Sequence, residues 1–280
     1  MELNYAVKES LHTTFPELEI KMVGIADGGE GTLSAIHSNI GGSLISVETV
    51  DLMGQDIIAE YLLVKNTAYI EVVQVVGIDK IVPNRETFIK SSSFGLAKLM
   101  LDAKSRNVKR IVVALGGSGC SDGGLGLLRG LGADVKSLLD YDSIDLSNLE
   151  KFPSIEIVGM ADVTNPFSGE LGFSRFFGIQ KGGSEEQIEF LDAKAKSLAD
   201  DIQKKTGHDI QNTRGAGAAG GIGGALLCLG GKLESGFKLL SELIDLDSYI
   251  RYADLVITGE GLRHNGRFIA SLFFNSTICK

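Results

Sequence analysis

Four segments of this chain repeat one design, and that design restricts the fold more than any other feature of the sequence. Each is an apolar run followed by glycines and an acidic residue: Val23 to Thr32 (VGIADGGEGT), Ile111 to Gly124 (IVVALGGSGCSDGG), Ile155 to Pro166 (IEIVGMADVTNP) and Ala253 to Gly261 (ADLVITGEG). A short continuous apolar run reads as a strand buried on both faces. Glycine at its exit lets the backbone approach a ligand with no Cβ in the way. Open α/β sheets hold their ligands beyond the carboxyl ends of the strands. Carboxylates gathered there make a site for a metal and phosphates. The candidates are Asp27, Glu30, Asp122, Asp162 and Glu260. Taken singly, each is equally a loop carboxylate capping a helix, and Asp27 and Glu30, which both precede one, are the most open to that reading. The coincidence of four such exits favours a shared site.

Between these exits, strand and helix patterns alternate, which predicts an α/β protein with a mostly parallel sheet and helices on both faces. Helices are expected over 4–14, from Thr32 to the Gly41-Gly42 stop, over 91–105 with Ser91-Ser92-Ser93 as N-caps, over 125–132, within 215–230 and over 236–250. The clearest is 185–205, where Ile188, Leu191, Ala195, Leu198 and Ile202 share a face and Gly207 ends the run. Strands are expected over 19–25, 44–50, 111–115, 155–160 and 254–258. The runs 57–64 and 68–76 flank Lys65-Asn66-Thr67 and read as an antiparallel hairpin. Residues 134–153 read as an acidic surface connection, and 165–183 as Gly- and aromatic-rich with little periodicity. The hairpin and this irregular middle point to a second α/β domain, 56–235, inserted into a first made of 1–55 and 236–280.

The 280 residues carry a net charge of −9 and no Lys/Arg cluster, which argues against nucleic acid and anionic membrane as partners. An acidic enzyme handling an anionic metabolite must collect positive charge locally, from Mg²⁺, a few Lys/Arg and helix N-termini. The 3 cysteines are scattered, with no CxxC pair, so neither a disulfide framework nor structural zinc is expected. Cys120 reads as a small residue in a tight loop. No run approaches the ~18 apolar residues of a membrane helix, and the N-terminus lacks a secretory pattern. The expected setting is cytoplasmic, and assembly as a homodimer is left open.

Gly215 to Gly220 (GAGAAG) matches the dinucleotide fingerprint literally, but polar residues precede it where a strand is required, which argues against NAD and an oxidoreductase. A Gly/Ala helix start that packs tightly or admits phosphate fits better, with Gly215, Gly217 and Gly220 as its candidates. Gly231-Lys232 is followed by Leu233 and is no P-loop. Gly116, Gly117 and Ser118, between a strand and a helix, could cradle a phosphate through backbone N–H groups, or be an ordinary tight turn. Lys181 is the best-placed cation, with an exposed lysine before a helix cap as the alternative. The four histidines share no ligand spacing.

Six blocks resemble the bacterial type-1 glycerate kinases: IADGGEGT (25–32), ALGGSGCSDGGLG (114–126), ADVTNPFSGELG (161–172), FFGIQKG (176–182), RGAGAAGGIGGAL (214–226) and ADLVITGEG (253–261). They stand in family order. The resemblance implies a flavodoxin-like, doubly wound domain with a second α/β domain. It implies transfer of the ATP γ-phosphate to a hydroxyl of D-glycerate with Mg²⁺. On that footing Asp27 and Asp122 are the expected metal or base residues. Asp162 and Glu260 would support metal or substrate, Lys181 would meet the substrate carboxylate or a phosphate, and the loops 116–119 and 215–221 would hold phosphates.

The chain also departs from the pattern. It starts at what resembles the family's first helix, without the first strand, and after Gly261 it reads Leu262-Arg263-His264-Asn265-Gly266 where the family continues differently. Ile179 stands where proline is usual. These departures predict weak or absent activity and marginal stability for this polypeptide alone. The alternatives are an inactive gene fragment or a nucleotide- or organic-acid-binding module.

Overall fold

The computed structural model describes residues 2–259, 262–264, 267–269 and 274–279. The chain divides into two compact units, one of Met1–Ala26, Ser34–Gly41 and Phe237–Lys280, the other of Asp27–Leu33 and Gly42–Gly236. In chain order the first elements are α1 (Glu2–Thr14), β1 (Ile20–Met22) and α2 (Thr32–Ile40). Then follow β2 (Ser43–Val50), β3 (Asp56–Val64), β4 (Thr67–Glu71), α3 (Val73–Val76), α4 (Arg85–Lys90), α5 (Leu96–Ser105), β5 (Arg110–Ala114) and α6 (Leu125–Gly130). After these come β6 (Glu156–Met160), α7 (Phe173–Phe177), α8 (Glu185–Thr206), α9 (Ile222–Cys228) and β7 (Lys232–Glu234). The last are α10 (Gly236–Leu243), α11 (Leu246–Arg251), β8 (Leu255–Gly259), β9 (Leu262–His264), β10 (Arg267–Ile269) and β11 (Phe274–Cys279).

The larger unit is built on a six-stranded sheet in the order β2-β3-β4-β5-β6-β7. β2, β3 and β4 pair antiparallel, and β4 to β7 pair parallel. The expected mostly parallel α/β sheet is therefore present, with the expected hairpin at one side. Lys65 turns that hairpin at φ 52. The four residues Ile111 to Ala114 of β5 are all buried, and so are Ile157 to Met160 of β6, as unbroken apolar runs require when both faces are covered. Helix α8 starts on a capping box between Ser184 and Gln187 and ends at Gly207 in the left-handed region. Its five spaced apolar residues all enter the core. Phe167 and Phe173 meet edge to face at 5.2 Å and are wholly buried, each contributing about 2–3 kcal/mol of burial.

Several elements differ from expectation. The run 68–76 is a strand only to Glu71; Val72 turns and Val73–Val76 form a short helix. Helix 91–105 begins at Leu96, and Ser91 closes the preceding α4 instead. That helix carries its own capping box, Asn84 with Thr87. Residues 134–153 are no surface connection, because Val135, Leu138, Tyr141 and Ile144 are buried in the core. Helix 236–250 is two helices, parted where Asp245 takes φ 53. Among the described residues no helix is long and apolar enough to cross a membrane.

In the smaller unit β11 lies antiparallel between β1 and β8, and β9 pairs with β10. Asn39 Nδ2 of α2 donates to the carbonyl of Gly24 at 2.7 Å.

Candidate active site

A cavity of about 490 Å³ opens in the larger unit where its parallel strands end. Its walls come from the loop Asp27–Glu30, from Leu115–Ser118 beyond β5, from Met160–Val163 at the end of β6, from Phe177–Lys181 and from Ala218–Gly220.

The acidic loop lies across these strand ends through backbone contacts that side chains would block. Gly116 N–H donates to the carbonyl of Gly28 at 2.9 Å. A Cβ on Gly116 would stand 2.5 Å from the Gly29 Cα, so only glycine lets the two loops meet. Within the loop, Asp27 Oδ1 accepts the Gly29 N–H at 3.0 Å, and Thr32 Oγ1 donates to the Gly29 carbonyl at 2.7 Å. Asp27 and Glu30 are exposed.

Beyond β5 the backbone doubles back on α3. Ile78 N–H donates to the Gly117 carbonyl and Gly119 N–H to the Val76 carbonyl. The N–H groups of Gly117 and Ser118, which line the cavity, have no acceptor among the described residues. Consecutive amides of this kind, with Gly117 at φ +75, are suited to an anion.

Lys181 is 2% exposed. Its Nζ donates to Ser118 Oγ at 3.1 Å and to the Cys120 carbonyl at 2.6 Å. Burial pushes its pKa below the usual lysine value, opposed by Cys120 and the Asp122 carboxylate. The Cys120 thiol is pushed upward, chiefly by burial and further by the Asp122 charge, so it is a packing residue and no ready nucleophile. Asp162 Oδ1 accepts from Ser235 Oγ at 2.6 Å and from Gly236 N–H at 3.1 Å.

The structure thus brings Asp27, Glu30, Asp162, Lys181, Gly116, Gly117, Ser118 and Gly220 to one cavity. Asp122 does not line it. Its Oδ2 accepts from the N–H and Oγ of Ser93 and from Gly126 N–H, and its Oδ1 from Gly124 N–H, at 2.7–3.0 Å. That carboxylate holds the start of α6 against the segment before α5. Gly215 and Gly217 also miss the cavity. A Cβ on Gly217 would meet the Pro166 carbonyl at 2.3 Å, so this glycine serves close packing. Residues 207–214 form no strand, in keeping with the reading against a dinucleotide fold. Glu260 lies outside the described residues. Sequence reasoning missed Phe177 and Gln180 as lining residues, and it named the 215–221 loop without singling out Ala219. Ala219 sits at φ 53, ψ 41, followed by Gly220 and Gly221 at positive φ, and nothing in its residue type announces that.

Among the described residues no group of three or more His, Cys, Asp or Glu is arranged to hold a metal. Mg²⁺ needs fewer, one or two carboxylates completed by phosphate oxygens and water. Asp27 fits that demand: it is exposed at the cavity, and its Oδ2 has no hydrogen-bond partner among the described residues. Asp122, with both oxygens engaged, does not.

Fold and site together define an α/β protein with a glycine-lined cavity at the ends of its parallel strands. The glycerate kinase family profile matches residues 1–264. Glycerate 2-kinase of Escherichia coli K12 is 33% identical over 276 residues, which cover 93% of this chain and 72% of that protein. Glycerate kinase of Haemophilus influenzae is 31% identical over 277 residues, covering 93% and 73%. A crystal structure assigned to glycerate kinase 2 of Salmonella typhimurium LT2 superposes with a TM-score of 0.83 at 32% identity, covering 92% of this chain and 73% of that one. The chain belongs to the glycerate kinase family. It is accordingly a kinase, a transferase whose phosphoryl acceptor is an alcohol group.

Proposed function

We propose that this chain moves the γ-phosphate of ATP to a hydroxyl of D-glycerate in the cavity at the ends of β5 and β6. The observation that supports the reading most directly is the Gly117–Ser118 amide pair beside the buried Lys181. These supply positive potential for a polyphosphate without an exposed basic patch. Phosphoryl transfer asks a protein mainly for positioning and charge stabilisation, and fixed backbone donors provide both.

In this reading Asp27 holds Mg²⁺ or accepts the proton of the attacking hydroxyl. Bound there, Mg²⁺ would neutralise charge on the phosphate oxygens. Gly116, Gly117, Ser118 and Gly220 approach the phosphates through backbone. Lys181 reinforces the Ser118 turn and faces the carboxylate of glycerate or a phosphate. Asp162 and Glu260 support metal or substrate. Asp122, Gly215 and Gly217 act by holding the loops together. An acidic protein consuming ATP fits the cytoplasm.

The test is the purified chain incubated with MgATP and D-glycerate, with phosphoglycerate followed by ³¹P NMR and ADP by a coupled assay. Product formation that vanishes in Asp27→Ala supports the reading. Absence of turnover together with absence of calorimetric binding of MgATP would overturn it.

A further inference from the structure

Glu71 is a buried carboxylate that the assignment above does not use. It ends β4, directly opposite Ala114 of β5 in the parallel register, and the chain then turns into α3. It is 4% exposed, and its Oε1 accepts the Leu33 N–H at 2.7 Å across 38 residues of sequence. Leu33 and Thr32 are themselves buried and follow directly on the loop that carries Asp27 and Glu30.

That loop is suspended at two points. At its start the Gly28 carbonyl is held by Gly116 N–H, with Met160 packed under Gly28, where a Cβ would lie 3.0 Å from the Met160 Cβ. At its end the Leu33 amide is held by Glu71. The first N–H groups of a helix have no partner within the helix and must find one outside it. Here the acceptor is supplied by the strand next to the one that carries the glycine turn. The two cavity walls are thereby tied to adjacent strands of one sheet, which fixes Asp27 relative to Gly117 and Ser118.

We propose that Glu71 is a positioning residue, holding the Asp27 loop at the geometry phosphoryl transfer needs. The inference rests on the kinase reading of the cavity for its consequence, but its structural half can be tested without it. Glu71→Leu keeps the volume while removing the acceptor that Leu33 N–H, Thr32 N–H and the Gln74 side chain share. Glu71→Gln keeps an oxygen that can accept the Leu33 N–H.

Amide hydrogen exchange of the full chain is expected to speed up at Gly28–Leu33 in Glu71→Leu and not in β5, with the thermal midpoint lowered by a few degrees because the buried Leu33 N–H loses its acceptor. Turnover should fall by about tenfold or more, the scale of a misplaced reacting group, with KM for ATP nearly constant. Glu71→Gln should restore most of both. A purely structural role would make turnover follow the thermal midpoint instead. Unchanged exchange at Leu33 in Glu71→Leu overturns the positioning role, whatever the activity. Faster exchange with unchanged turnover overturns its catalytic consequence. Failure of Glu71→Leu to fold passes the decision to Glu71→Gln, where turnover lost at wild-type exchange rates overturns the proposal. A wild-type chain that phosphorylates nothing sinks the kinase reading, and the exchange experiment still judges Glu71.

Discussion

The ammonium of Lys181 donates to Ser118 Oγ at 3.1 Å and to the Cys120 carbonyl at 2.6 Å, bracing the turn that follows β5 from inside the protein. The two segments are 63 residues apart in sequence. One buried cation therefore shapes the glycine turn and adds charge to the pocket it forms. Lys181→Met keeps the stem and removes both contributions. The Cys120 carbonyl loses its charged donor, a cost of about 1–3 kcal/mol, while a desolvated charge disappears. Net stability should change by no more than about 2 kcal/mol, whereas kcat/KM for phosphorylation should fall by about 10²-fold or more. Urea unfolding beside steady-state kinetics checks both.

The same lysine makes a pH prediction. Burial lowers its pKa below 10.5 in the folded protein, while the unfolded chain keeps the ordinary value. Below the folded pKa both states hold the proton and this contribution does not vary. Between the folded pKa and 10.5 the unfolded state binds more protons, so stability rises with pH there. Wild type should gain stability relative to Lys181→Met as pH climbs through that window. A flat difference would show that the lysine is not desolvated.

Asp27 and Asp122 should separate cleanly in a pair of substitutions. Asp122 accepts four hydrogen bonds within the fold. Asp122→Ala therefore strips several buried donors, at an expected cost of about 3 kcal/mol or more. Asp27 is exposed and accepts one bond from its own loop, so Asp27→Ala should cost under about 1 kcal/mol and abolish turnover. Denaturation curves and rates measured on both variants decide the assignment. Loss of activity in Asp122→Ala at wild-type stability would return Asp122 to the chemistry.

The contact between the acidic loop and the glycine turn is open to a direct test. In Gly116→Ala the new methyl would sit 2.5 Å from the Gly29 Cα, with backbone on that side. Expected is a loss of about 1–3 kcal/mol from overpacking and a large loss of activity as the loops part. Gly54→Ala is the control: at φ +83, with nothing within 4 Å of the added methyl, it should cost about 1 kcal/mol and leave turnover intact.

Ala219 lines the cavity in the left-handed region. An L-residue there carries about 1–2 kcal/mol of strain, and glycine would add back about 0.5–1 kcal/mol of unfolded-chain entropy. Ala219→Gly should therefore be neutral or stabilising by up to about 1 kcal/mol. Ala219→Val, β-branched at positive φ, should cost more than about 2 kcal/mol. Thermal midpoints of the two variants give the comparison.

Much of this protein was legible in its residues one stretch at a time. The apolar runs at 111–114 and 157–160 could only be strands covered on both faces, and the 185–206 helix announced its cap, its apolar face and its glycine stop. The glycines at 28–29 and 116–117 marked where backbone would come close. Local signals sufficed there because spacing and propensity act within a few residues. Where several local states were compatible with the same residues, the reading failed. Val73–Val76 is β-branched at three of its four positions yet helical, since the chain must leave the sheet after Glu71. Residues 134–153 look polar in composition but place every few positions a side chain that the core absorbs.

What only the tertiary structure decided is which acids meet. Asp27, Asp162 and Lys181 converge because the loop before α2, the exit of β6 and the turn after α7, distant in the chain, meet at one cavity, while Asp122, just as acidic and just as glycine-flanked, turns inward to satisfy four donors. Glu71 was invisible as a site residue because its meaning lies in an amide 38 positions away. A side chain's chemistry is written in its own residue type. Whether that chemistry is spent on the fold or left for a ligand depends on which donors the rest of the chain brings within 3 Å of it.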